Sequence, residues 1–159
     1  MSAGDEYEAL LHQIDHTDYG EAETALLRKA LAAAAERADD AFTHRVRLRA
    51  MQSAAFNGRE AEVLEHFAWC LEHHRVDGRA FPAEEAGIQL LDYFPRAVNA
   101  IATRPETPEA ALDSVISDYE TQLRRAGHSP RKAWEMRVVI ANRAGRFNVS
   151  REWRERLTL

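Results

Sequence analysis

The sequence is poor in residues that break helices and in residues that make staples. Among 159 residues there are 7 glycines and 5 prolines, too few for a loop-rich fold or a low-complexity linker. β-Branched residues never alternate over a strand's length, which removes sandwich and barrel architectures. Cys70 is the only cysteine, so no disulfide closes within the chain and a structural zinc site lacks thiolates. No stretch approaches 18 uninterrupted apolar residues, so no membrane span is expected. The opening MSAGDEYEALL is acidic and has no apolar run, so no signal peptide is expected either. Without one, the Asn148-Val149-Ser150 sequon means little, and a cytoplasmic setting follows as the default.

What is present favours helix. Ala, Leu, Arg and Glu dominate, and all four are strong helix formers. Hydrophobic residues make up 45% and charged residues 30%, a balance that supports a folded core rather than disorder. The expectation is an all-α fold, with residues 1–159 forming a single domain. The net charge of −5 does not favour non-specific binding to nucleic acid. The charge is uneven: residues 1–40 carry ten acidic and three basic side chains, whereas residues 127–159 carry eight basic and three acidic. Such polarity can steer partners or drive head-to-tail contacts between copies.

Apolar spacing places the helices. Tyr7, Leu10, Leu11 and Ile14 mark a short first helix ending at Asp18-Tyr19-Gly20. A second runs from about Glu21 to Arg37. Asp39 or Asp40 caps the third, which carries Phe42, Val46, Ala50 and Ala54 on one side and stops at Gly58. The fourth carries Val63, Leu64, Phe67, Cys70 and Leu71. Phe81-Pro82-Ala83-Glu84-Glu85 reads as the start of a fifth, with Pro95 inside it causing a bend near Asp92 or a break into two. Thr107-Pro108-Glu109 and Ser129-Pro130 open the sixth and seventh, which end at Gly127 and Gly145. A short eighth starts near Val149.

The turns fall near residues 19, 58, 105 and 146, a spacing of roughly forty residues that suits stacked helical hairpins. Thr17-Asp18-Tyr19-Gly20-Glu21-Ala22 followed by Leu26, Gly145-Arg146-Phe147-Asn148-Val149-Ser150, Trp134, and Gly58 followed by Val63, Phe67 and Cys70 together resemble the tetratricopeptide repeat family. The Leu-Gly pair of that family's first helix is replaced by Ala50-Met51 and by Arg137-Val138. The resemblance implies a right-handed α-solenoid of three to four antiparallel helix pairs, used as a protein-interaction scaffold. It also implies that the first helix of each hairpin lines a concave groove. Arg45, Arg49, Gln52 and Phe56, spaced i, i+4, i+7, i+11, would then face a ligand, joined by Gln89, Tyr93, Arg96 and Asn99 from the fifth helix and Arg137 from the seventh. Arginines with amides suit carboxylates and peptide backbones, so the expected ligand is a peptide, acidic or carrying a free carboxylate. The rivals are a solvated helix face, a self-associating structural module, and a regulatory helical domain of a longer chain.

Candidate chemistry is thin, and no catalytic residue, metal or cofactor is expected. Glu8, His12 and His16 share a helix face, but the His-Glu-x-x-His pattern is absent. His66, His73 and His74 read as surface or groove residues. A di-metal bundle needs two Glu-x-x-His motifs, and all seven histidines fail that test. There is no Gly-x-Ser-x-Gly and no phosphate-cradling glycine loop. Cys70 lies on an apolar face, where a free cysteine packs as a small hydrophobe.

Overall fold

The structure, a computed structural model, describes residues 3–18 and 20–159. Tyr19, the aromatic residue of the first turn motif, lies outside the described residues. The fold is all-α, with eight α-helices among the described residues: α1 (Ala3–Asp15), α2 (Glu21–Glu36), α3 (Asp40–Phe56), α4 (Glu60–Val76), α5 (Phe94–Ala102), α6 (Glu109–Arg125), α7 (Arg131–Arg143) and α8 (Phe147–Leu157). None of them is long and apolar enough to cross a membrane. Contacts sort the chain into two compact units, residues 1–90 and residues 91–159.

Four helices end in the same way. After α2, α3, α6 and α7, the second residue past the cap donates to a carbonyl five residues back: Asp39 to Ala34, Arg59 to Ala54, His128 to Leu123 and Arg146 to Ala141, at 2.8–3.0 Å. This Schellman closure needs a left-handed residue at the preceding position. Gly58, Gly127 and Gly145 supply it at φ 71–76°, as the spacing predicts. Ala38 supplies the fourth at φ 50°, with no glycine to advertise it.

In the first unit α3 is the central helix. Phe42, His44, Val46, Leu48, Ala50, Met51, Ser53 and Ala54 are all buried, so α3 is covered along much of its surface. Asp39 caps its start by accepting from the Phe42 amide at 3.0 Å. Tyr7, Leu10 and Ile14 of α1 join Leu27, Ala30 and Ala34 of α2 against Phe42, Val46 and Ala50. The Tyr7 and Phe42 rings stack at 3.7 Å.

The helix expected from Phe81 does not form. Residues 77–83 make a strap instead. Asp77 Oδ1 accepts from the amides of Arg79 and Ala80, both at 3.1 Å. An antiparallel hairpin follows, β1 (Glu84–Glu85) against β2 (Ile88–Gln89). Its loop, Ala86-Gly87, has φ of 53° and 82°, the two-residue primed turn that matches strand twist. Gln89 is therefore a strand residue, and Tyr93 lies in a 3-10 turn, Leu90–Tyr93. Pro95 sits in the first turn of α5, where its missing N–H costs nothing; it starts a helix and kinks none. In the second unit α5 packs on α6, α6 on α7, and α7 on α8. Phe94 stacks on Tyr119 at 5.2 Å, with Leu112, Ile116 and Leu123 also buried. The guanidiniums of Arg137 and Arg156 each lie over the ring of Trp153 of α8, at 4.9 and 4.5 Å from its centre.

Because an alanine in the left-handed region is strained, Ala38→Gly is expected to stabilise the chain by about 0.5–1 kcal/mol. Urea unfolding followed by circular dichroism measures this; an unchanged or lower midpoint would count against the closure described for α2.

Candidate functional site

Successive residues of a helix turn by about 100°, so Arg45 and Arg49 share one face of α3 and Arg47 points to the other. Each finds acids or rings on the helix it meets. Arg45 bonds Glu8 of α1 at 3.0 Å and Glu85 of β1 at 3.1 Å. Those carboxylates hold its proton more tightly against the opposing effect of burial. Arg49 lies 3.6 Å from both Asp15 of α1 and Glu23 of α2, and donates to Gln52 at 3.3 Å. On the far face Arg47 meets His66 at 3.2 Å, Glu65 at 3.9 Å and the Trp69 ring at 5.2 Å.

Glu23 is the residue the sequence reading missed. It is fully buried, and neither carboxylate oxygen has a hydrogen-bond partner. The Arg49 guanidinium beside it is the charge that compensates it. A signal was present, since Glu23 continues the i, i+4, i+7, i+11 stripe of Leu27, Ala30 and Ala34 that faces the core.

Glu8, Leu11, His12, Asp15, Arg45, Arg49, Glu85, Ala86 and Ile88 line a cleft of about 450 Å³ between α1, α3 and the hairpin. The second unit has its own cleft, of about 360 Å³, between α5 and α7 over Tyr119. Pro95, Asn99, Met136, Val139 and Ile140 give it an apolar lining, with Lys132 and Glu135 at its edge. The Tyr119 hydroxyl holds its proton above the usual range, through burial first and then the nearby Asp92 and Glu135.

Of the stripe expected to face a ligand, the structure brings Arg45 and Arg49 into the first cleft and Asn99 into the second. Gln52 braces Arg49, and Phe56 is 70% exposed outside the first cleft's lining. Gln89, Tyr93 and Arg96 line neither cleft. Arg137 is turned inward, bonded to Asp113 at 3.2 Å and Ser117 at 2.8 Å beneath Trp153. The arginine row is thus engaged by the chain's own acids, and an acidic ligand would have to displace them.

Glu8 turns to Arg45, while His16 Nδ1 meets the His12 carbonyl at 2.8 Å. Among the described residues no three His, Cys, Asp or Glu side chains are placed to hold a metal ion. His66 is buried rather than on the open surface, at the side of a hollow between α2 and α4. Its desolvation, with the Arg47 charge beside it, lowers its pKa to about 4, against a smaller opposing pull from Glu62. His44 is also lowered to about 4, by burial first and then by His74 and His73. His44, Trp69, His73 and Phe81 form one ring cluster, with His73 stacked on Trp69 at 3.6 Å. His74 Nδ1 meets the Phe81 carbonyl at 2.8 Å, tying the strap to α4. Burial raises the Cys70 thiol to about 12, which removes it as a nucleophile.

His44 and His66 are neutral when folded and bind protons near 6.5 when unfolded. Their contribution is complete above pH 6.5 and is lost as the pH falls toward 4, by roughly 3 kcal/mol for each. Urea midpoints measured across that window are expected to fall steeply, and His66→Leu should flatten the fall. A flat wild-type profile would show that these imidazoles are not sealed.

No family model, no curated protein and no solved structure matches the chain, so a reading of these clefts rests on their own geometry.

Proposed function

We propose that the chain is a tetratricopeptide-like helical module that binds other proteins through clefts between its odd-numbered helices, and that its hairpins are those of a right-handed α-solenoid. Beside hollows between α2 and α4 in the first unit, one cleft in each unit, taken separately, carries this reading by opening between the first helices of consecutive pairs, α1 with α3 and α5 with α7. That is where the resemblance seen in the sequence puts a ligand groove. Cys70 as a buried thiol and His44 and His66 as sealed neutral rings further favour binding over catalysis.

Affinity would come from a few anchors, since area alone does not set it. The α5/α7 cleft offers Met136, Val139, Ile140 and Pro95 around the Tyr119 ring to an apolar side chain. The α1/α3 cleft offers charge. A second reading, self-association of the acidic front with the basic rear of another copy, draws on the uneven charge of residues 1–40 and 127–159. Light scattering would then show a mass that falls with added salt.

A random-peptide display library panned against the full chain tests the main reading. Hits are expected to shift backbone amide resonances of residues lining the α1/α3 or α5/α7 cleft. Hits whose footprint avoids both clefts, or no hit at all, would reject it.

A further inference from the structure

We propose that the α1/α3 cleft takes a cationic side chain, arginine in preference to lysine, presented by an extended segment of a partner protein. This rests on the interaction reading above and reverses the ligand charge that the arginine stripe suggests in sequence.

Charges in the cleft are layered. The guanidiniums are recessed: the Arg49 side chain is 21% exposed and that of Arg45 is 36%. The carboxylates of Asp15 and Glu8 on α1 are more exposed, at 59% and 66%, while Glu85 of the hairpin is as recessed as Arg45, at 31%. An incoming molecule therefore meets acid first. Each guanidinium already spans two of the chain's own carboxylates. A visiting carboxylate must break such a bridge, and at Arg49 it would draw compensation away from Glu23, which has no hydrogen bond to fall back on.

A visiting cation breaks nothing. An ionised carboxylate has about four lone-pair positions, and the contacts of Glu8 and Asp15 with the arginines leave several of them turned to solvent. Glu8 and Asp15 are seven residues apart on α1 and share a face, with His12 between them. Leu11 and Ile88 give the lining apolar surface, suited to the methylene stem of a long basic side chain. Among the side chains that line the cleft, Glu8, Asp15 and Glu85 outnumber Arg45 and Arg49. Arginine is preferred because its planar fork can meet two carboxylates at once.

The probes are two short peptides of matched length, one with a central Arg-Arg pair and one with Glu-Glu, titrated into the isotopically labelled full chain at low salt. The Arg-Arg peptide is expected to shift amides between residues 8 and 15 and between 85 and 88, and to bind about tenfold more weakly at high salt. Glu8→Gln combined with Asp15→Asn should weaken it by about tenfold. Because those acids also brace α3, His12→Glu serves as the second variant: it removes no brace, adds a carboxylate to the rim, and should tighten binding severalfold. Cleft shifts from the Glu-Glu peptide and not from Arg-Arg would overturn the charge assignment while leaving the interaction reading intact. Arg-Arg shifts confined to the α5/α7 cleft would also overturn it. A library hit seated in a cleft, with neither probe moving any cleft amide, would sink this inference alone.

Discussion

A helix buried along much of its surface still carries Arg45, Arg47 and Arg49, and the two set deeper, Arg47 and Arg49, are costly to leave uncompensated. The first unit is arranged around this constraint. α1 brings Glu8 and Asp15, α2 brings Glu23, α4 brings Glu65 and the Trp69 face, and the hairpin brings Glu85. Hydrophobic contact through Phe42, Val46 and Ala50 supplies non-directional attraction. The ion pairs add what apolar packing lacks, a preferred rotation of α3 against each neighbour. The strap and hairpin follow from the same demand: with Phe81 set among the rings of His44, Trp69 and His73, the chain turns back and lays Glu85 against Arg45.

Most of the helical order was legible because it is local. Gly58, Gly127 and Gly145 mark Schellman ends, and Asp39 marks the α3 cap. Residues 81–93 were misread because Phe81-Pro82-Ala83-Glu84-Glu85 satisfies every local rule for a helix start. What overrides those rules is tertiary: the ring cluster that holds Phe81 and the primed turn at Ala86-Gly87. Pro95 followed as a consequence, since a later start puts proline in the first turn.

The site was half legible. Arg45 and Arg49 were found as a stripe, but periodicity reports which residues share a face and not what lies opposite. The opposing acids sit on α1 and α2, more than twenty residues away, and only packing pairs them. Arg137 was misjudged for the same reason, its Asp113 and Ser117 partners belonging to α6. The cleft's chemistry is set by depth: the basic groups are structural and recessed, and the acids of α1 are more exposed. Carboxylates held in this way are preorganised, since side chains already engaged in ion pairs have little freedom left to lose.

The most direct test of this arrangement is a double-mutant cycle between Arg49 and Glu23, read by urea unfolding of Arg49→Met, Glu23→Gln and the pair. The account predicts a single-variant cost of about 3 kcal/mol for Arg49→Met, because Glu23 is left buried without the cation that compensates it. It also predicts a coupling of about 2 kcal/mol, recovered when both residues change together. Additive costs, agreeing to within about 0.5 kcal/mol, would mean that α3 is held without its ion pairs and would contradict the account.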